Sequence, residues 1–337
     1  MKVVVLMGGS SDEREVSLAS GSQVARALRE GGHDVVAFDT SAGLLSRAEE
    51  ERLLHSGVAA LPPSKASLDL LESGDTTALT REPGVGEAEV FFLALHGGSG
   101  EDGTLQAMLD VVGKPYTGSG MVGCALAMDK DLTKRLLRDA GIVTPDWLTG
   151  LADPAEVADR LGLPVIVKAA RGGSSLRLVL AHDMQELEAA TEDAKSFEDV
   201  VLYERYVSGR EFTVGILGDE ALPVGEIIPE HELFDYECKY QPGLAQEIFP
   251  ADLPVEVARR LRRIALDVHR VLRLRDFSRV DFILDEGGEA WCLEANALPG
   301  MTANSLVPKA AKAAGISFPE LCERIAGLAL ARRRTAL

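Results

Sequence analysis

A formal net charge of −18, from 53 acidic against 35 basic side chains, argues against general affinity for nucleic acid or an anionic membrane. The 337 residues suffice for two or three domains, and 46% hydrophobic content with 33 glycines and 15 prolines is that of an ordinary compact globular protein. An anionic substrate would need a local basic pocket.

The four cysteines, Cys124, Cys238, Cys292 and Cys322, are scattered without a C-x-x-C pair, so neither a zinc ribbon nor a disulfide framework is expected. The apolar run after Lys2 meets Gly8-Gly9 too early for a signal-peptide core, and no apolar run approaches the ~18 residues of a membrane span. A soluble cytoplasmic protein without membrane partners is the expectation.

Val3 to Met7 predicts a strand that turns through Gly8-Gly9-Ser10-Ser11 into a helix from about Asp12 to Gly31. Ser10 and Glu13 have the spacing of a capping box, and Glu13 near a helix start reads as a cap unless other residues give it work. The segment lacks G-x-G-x-x-G, which speaks against a dinucleotide-binding dehydrogenase. Asp34 to Asp39 predicts a second strand and 42–54 a polar helix; 62–86 reads as a peripheral excursion.

Ala88 to Leu95 is a continuous apolar run, the pattern of a buried strand. It ends in His96 and a glycine-rich loop before a helix over 104–112, the place where α/β folds bind ligands. Helices follow over 121–140, carrying Lys130, Lys134 and Arg135, and over 154–161. The strand Pro164 to Lys168 leads into Gly172-Gly173-Ser174-Ser175, whose free N–H groups and hydroxyls suit a phosphate cover, although it is not a P-loop. Strands are predicted over 200–207, 210–217 and 221–228. The stretch 233–249, with Lys239 and Tyr240 at its centre, reads as a lid loop. A helix over 255–272 precedes a hairpin, and helices over 303–314 and 318–331 close the chain.

The hairpin spans Ser278 to Thr302. With Gly287-Gly288 as a two-residue turn, Leu284 faces Trp291, Phe282 faces Leu293, Asp281 faces Glu294 and Arg279 faces Asn296. One face is then apolar, and the other carries Arg279, Asp281, Glu294 and Asn296 as a square. Facing carboxylates have Cβ atoms roughly 5 Å apart and repel without a cation. Their oxygens suit Mg²⁺ completed by phosphates, and Arg279 suits a carboxylate or phosphate. The alternative is a solvated face with an Arg–Asp ion pair.

The order of these pieces resembles the D-alanine–D-alanine ligases of the ATP-grasp superfamily. The resemblance rests on GGSSDEREVSL (8–18), LALHGGSGEDGTLQAML (93–109), MDK (128–130), GGSS (172–175), DYECKY (235–240), RVD (279–281) and LEANALPGMTANSLVP (293–308). It implies an α/β (α+β) chain with the ATP-grasp fold: a Rossmann-like pre-ATP-grasp domain over 1–118, a central subdomain over 119–204, and a C-terminal subdomain with metal site and lid over 205–337. It also implies a homodimer.

The implied activity is ATP-dependent ligation of two D-alanine molecules through an acyl phosphate, for peptidoglycan precursor synthesis. Lys130, Lys168 and Lys239 would hold ATP phosphates, while Glu204, Val207 and Glu211 would contact adenine and ribose. Asp281, Glu294 and Asn296 would ligate two Mg²⁺ or Mn²⁺ ions. Glu13 would take the ammonium of the first D-alanine, with Ser174 and Tyr240 linking it to the lid. Arg279 and the Gly300 N–H would stabilise the acyl oxyanion, His96 would lie near the reacting carboxyl group, and Ser305 and Leu306 would bind the second D-alanine. Ala169, Gly172 and Arg177 depart from the family's usual proline, glutamate and glycine. The alternatives are a related ATP-grasp ligase joining D-alanine to another amino or hydroxy acid, and a silent nucleotide-binding regulator. The presence of every metal ligand and phosphate lysine argues against the second.

Overall fold

The computed structural model describes residues 1–59, 61–69, 71, 84–173, 178–194, 200–241 and 243–335. The first part comprises β1 (Lys2–Met7), α1 (Arg14–Glu30), β2 (Asp34–Asp39), β3 (Gly43–Leu44), α2 (Arg47–His55), α3 (Lys65–Asp69), β4 (Val90–Leu93), α4 (Gly98–Glu101) and α5 (Thr104–Val111). Its sheet runs β3-β2-β1-β4, with β1 parallel to both β2 and β4. Val3 to Met7 and Val90 to Leu93 are wholly buried, because helices must cover both faces of such a sheet. The C-terminal ends of β1 and β4 deliver the two loops that carry Glu13 and His96.

Two local expectations fail here. Ser10 makes no capping box: Glu13 occupies the N-cap position of α1 without a side-chain cap bond. Its carboxylate is buried and turned toward the cleft described below. The helix expected over 42–54 starts only at Arg47, where Ser46 and Glu49 form the capping box, and β3 precedes it. Most of the 62–86 excursion lies outside the described residues.

The middle part comprises α6 (Met121–Met128), α7 (Lys130–Asp139), β5 (Trp147–Thr149), α8 (Pro154–Leu161), β6 (Val165–Ala169), β7 (Val179–Ala181), α9 (Met184–Ala194) and β8 (Val201–Arg205). The strands form an antiparallel sheet in the order β5-β8-β6-β7. Alternation sorts their side chains. Val165, Val167, Val201 and Tyr203 pack with Val157, Leu161, Leu187 and Ala190 of α8 and α9. Ile166, Lys168 and Glu204 take the opposite face and line the cleft. The sequence reading passed over β5, β7 and α9.

The last part comprises β9 (Arg210–Leu217), β10 (Glu220–Ala221), β11 (Gly225–Pro229), α10 (Tyr236–Tyr240), β12 (Ala245–Ile248), α11 (Val255–Val271), β13 (Phe277–Leu284), β14 (Ala290–Asn296), α12 (Leu306–Ala313) and α13 (Phe318–Thr335). The main path of its antiparallel sheet is β12-β11-β9-β13-β14, with β10 beside β9. One face is sealed by α6, α7 and α11. Leu261, Ala265 and Val268 recur at helical spacing on α11 and meet Phe212, Val214, Val280 and Phe282. Each large apolar side chain so buried contributes about 1.5–3 kcal/mol. The other face, with Glu211, Asp281, Ile283 and Glu294, opens on the cleft. Helices α12 and α13 return to the core of the first sheet through Val307, Ala310, Leu321, Cys322 and Ile325.

The hairpin keeps the expected pairs Arg279–Asn296 and Asp281–Glu294 but not the outer ones. A bulge next to Asp281 shifts the register, so that Phe282 faces Cys292, Ile283 faces Trp291 and Leu284 faces Ala290. The turn is correspondingly longer, running from Asp285 to Glu289. The Asp285 carboxylate fixes it by accepting from Glu289 N and Trp291 Nε1, both at 2.8 Å. The bulge brings Leu293 to the cleft beside Glu294, while Cys292 joins the buried face.

A cleft between two sheets as the candidate active site

The open faces of the middle and last sheets confront each other across one cleft. Pro145, Ile166, Val207, Ile283 and Leu293 supply apolar walls, and Glu204, Glu211, Lys130, Lys168 and Lys239 supply polar groups. A second cavity continues from it, lined by Glu13, His96, Glu101, Tyr240, Arg279, Asn296 and Gly300 among others. Lys130, Lys239, Glu294, Glu13, Gly172 and Gly173 line both, so the two spaces meet at these residues.

Three lysines, Lys130, Lys168 and Lys239, converge on the cleft of this acidic protein. Lys130 begins α7, and its Nζ donates to the Gly172 carbonyl at 2.6 Å. Burial lowers its pKa; Glu294 opposes this, while Lys168 and Lys239 reinforce it. Such a poorly solvated group of cations is a ready receptor for a polyanion. Lys168, near the end of β6, donates to Glu204 Oε1 at 2.8 Å. Burial works against the Glu204 charge, but Lys134 and Lys168 outweigh it and hold the carboxyl below its ordinary range. Glu211 differs: burial, then Asp281, pushes its pKa up to about 8.

On the hairpin, Asp281 accepts from Thr213 Oγ1 at 2.7 Å, from Arg279 Nη2 at 2.8 Å and from Asn296 Nδ2 at 3.2 Å. Burial works against the Arg279 charge, but Asp281 and Glu294 raise its pKa above the ordinary guanidinium value. Glu294 lies opposite Asp281. Burial would raise its pKa, but Lys130, Lys239, Lys168 and Arg279 pull it well below the usual carboxylate range. The Glu294 carboxylate therefore stays charged at neutral pH. Two facing carboxylates and an amide, where the cleft meets the second cavity, fit a hard divalent cation.

In the second cavity, Glu13 is buried, and Gly97 and Gly173 approach its carboxylate from two sides. Added Cβ atoms at these glycines would come within 2.8 and 2.4 Å of Glu13 Oε2. His96 is buried, with Nε2 3.2 Å from Ser20 Oγ, and burial lowers its pKa to about 4. It is a neutral imidazole at physiological pH. Tyr240 stacks edge-on against Tyr236, with ring centroids 4.7 Å apart, in a helical turn that Asp235 caps through the Cys238 N–H.

Ser174 lies outside the described residues, so its link to Glu13 and Tyr240 is untraced. Ser305 N-caps α12, and its Oγ accepts from Thr302 N at 3.1 Å beside Gly300. The Leu306 side chain is buried with Ile227, Phe234 and Cys238, which leaves its backbone N–H at the helix start as the part suited to an anion.

Sequence reasoning assigned no role to three groups near the site. Thr213 bonds Asp281. Glu101 bridges the Gly97 and Leu298 N–H groups at 3.0 and 3.3 Å, and burial together with Glu13 raises its pKa. Lys134 pairs with Glu204 at 2.6 Å. Glu101 lies in the glycine-rich loop after His96, whereas Thr213 and Lys134 find their partners only through strand pairing and helix packing.

Two family models match the chain: the D-ala D-ala ligase N-terminus over residues 2–119 and the D-ala D-ala ligase C-terminus over 136–326. The D-alanine–D-alanine ligase of Dechloromonas aromatica is 42% identical over 330 residues, covering 97% of each chain. That of Nitrosospira multiformis is 44% identical over 331 residues, covering 97% of this chain and 96% of its own. Among solved structures, a D-alanine–D-alanine ligase from Bacillus anthracis complexed with ATP superposes with a TM-score of 0.77 at 30% identity over the full length of both chains. The enzyme from Coxiella burnetii gives a TM-score of 0.81 at 28% identity, covering 99% of this chain and 95% of its own. The fold is the ATP-grasp fold, and the chain belongs to the D-alanine–D-alanine ligase family.

Proposed function

We infer that this protein joins two D-alanine molecules at the expense of ATP, in the service of peptidoglycan precursor synthesis. The observation that carries the reading is the junction of the two cavities at Lys130, Lys239 and Glu294. A nucleotide seated between the sheets would present its terminal phosphate there, against a pocket built for an amino acid.

A carboxylate resists attack because it is anionic and lacks a leaving group. Transfer of the γ-phosphoryl group from ATP to the first D-alanine gives an acyl phosphate and ADP. Lys130, Lys168 and Lys239 neutralise the phosphates, and Glu13 fixes the ammonium of the first D-alanine. The deprotonated amine of the second D-alanine attacks the acyl carbon, its carboxylate held at the start of α12 by Ser305 and the Leu306 N–H. Arg279 and the Gly300 N–H hold the oxyanion, after which phosphate departs and the peptide bond remains. The lid, with Lys239 and Tyr240, covers the junction and keeps water from the acyl phosphate. His96, neutral, serves as a hydrogen-bonding neighbour of the reacting carboxyl group. Glu204, Val207 and Glu211 border the adenosine end.

Asp281, Glu294 and Asn296 would hold two divalent ions, Mg²⁺ or Mn²⁺. Bound there, the metal supplies charge neutralisation for the transferring phosphoryl group. The three sheets support a division into domains over 1–118, 119–204 and 205–337. A homodimer rests on the family resemblance alone, and sedimentation tests it. The activity is tested by ATP-dependent phosphate release against a panel of D- and L-amino acids and D-lactate. D-Alanine should stand out. Equal release with L-amino acids, or none with D-alanine, would overturn the assignment.

A further inference from the structure

Lys134 has no part in the reaction above and does not border the cleft, yet it is completely buried behind it. Its Nζ lies 2.6 Å from Glu204 Oε2, 2.6 Å from Thr144 Oγ1 and 3.0 Å from the Pro145 carbonyl. It also sits 5.2 Å from the centroid of the Trp147 ring, on the strand residue paired with Glu204. The other carboxylate oxygen of Glu204 holds Lys168, which does border the cleft. One buried carboxylate is thus gripped from behind by one lysine and from the cleft side by another.

We infer that Lys134 is a positioning residue: it holds Glu204 from behind as a permanent counter-ion, so that Lys168 can leave Glu204 for the nucleotide phosphates. The charges make this necessary. Stripping a buried carboxylate of its only cation is strongly unfavourable. With Lys134 in place, departure of Lys168 leaves a neutral Lys134–Glu204 pair. Without it, Lys168 is tied to Glu204 and withheld from phosphate. The anchors of Lys134 support a fixed role, because Thr144 precedes Pro145 of the cleft wall and both hold the ammonium.

The inference rests on the ATP reading of the cleft. It is tested by calorimetric titration of ATP with Mg²⁺ into wild type, Lys134→Met, Lys168→Ala and the double variant, with steady-state kinetics alongside. Each single variant should weaken ATP binding about tenfold or more, with the KM for D-alanine within about twofold of wild type. The double variant should bind no more than about threefold more weakly than the worse single one, because Lys168 is already withheld when Lys134 is gone. Losses that multiply, or an unchanged ATP affinity in Lys134→Met, would overturn the inference. Should Lys134→Met not fold, Thr144→Val removes one anchor and keeps the charge. It should raise the ATP Kd about two- to fivefold, and no change would overturn the inference equally. A wild type that binds no ATP defeats the reading of the cleft together with the inference. One that binds ATP while the variants behave independently defeats the inference alone.

Discussion

The carboxylate of Glu13, from the first loop of the chain, fills the space that a side chain on Gly173 would need. The group in the way is the free end of a flexible side chain, so Gly173→Ala should cost little stability and instead displace Glu13. We expect the KM for the first D-alanine to rise about tenfold, since misplacing a positioning group by about 1 Å is expensive. The melting temperature should move by no more than about 4 °C, the shift of a change under 1 kcal/mol. Steady-state kinetics and thermal melts check both, and an unchanged KM would show that Glu13 does not hold the substrate.

Glu294→Gln should reduce kcat by about a thousandfold or more while leaving the fold intact, because it removes one charge from the facing carboxylates and keeps the side-chain size. The measurement is turnover at saturating Mg²⁺ with circular dichroism alongside. Near wild-type kcat would return the hairpin square to a simple Arg279–Asp281 ion pair.

His96 and His269 are both buried neutral, and burial lowers each pKa from its ordinary 6.5 to about 4. The unfolded chain therefore binds more protons than the native one between these values. Stability is present above about pH 6.5 and is lost as pH falls toward 4, by at most ~3 kcal/mol for each histidine. His269 bonds Ser278 Oγ at 2.7 Å and stands apart from the cleft, so His269→Gln isolates the effect. Denaturant titrations at pH 7 and pH 5 should show a smaller loss in this variant than in wild type. An equal loss would mean that His269 is not buried uncharged.

The sequence was legible where the physics was local. The glycine pair and the flanking apolar runs marked the hairpin, and Asp281 still meets Glu294 because the bulge offsets the one-residue change in register that the longer turn introduces. The longer turn escaped because the Asp285 side chain, bonded to Glu289 N and Trp291 Nε1, outbids the two-residue turn. The Ser10–Glu13 cap was a sound local expectation, overridden because the cleft recruits Glu13. Lys134 looked like any helical lysine, since Glu204, which gives it meaning, lies on a distant strand. Short strands such as β5 and β7 carry too few residues for a period to register.

The lid bears on the choice of second substrate. Tyr240 lines the second cavity with Glu13 and Arg279, and a phenol, unlike an imidazole, has no cationic form. It does not repel an incoming ammonium as an imidazolium would. With equal D-alanine and D-lactate at pH 7, mass analysis should find mainly D-alanyl-D-alanine. Predominant depsipeptide would refute this. Tyr240→Phe should raise the KM for D-alanine more than that for ATP, and two unchanged values would reduce Tyr240 to packing.

The most direct measurement follows oxygen. Incubation with D-alanine labelled in both carboxylate oxygens with ¹⁸O, ATP and Mg²⁺ should yield D-alanyl-D-alanine and phosphate carrying one ¹⁸O, because phosphate leaves the acyl phosphate with a carboxylate oxygen of the first D-alanine. Phosphate without label, alongside dipeptide formation, would contradict carboxyl activation by phosphoryl transfer in this cleft.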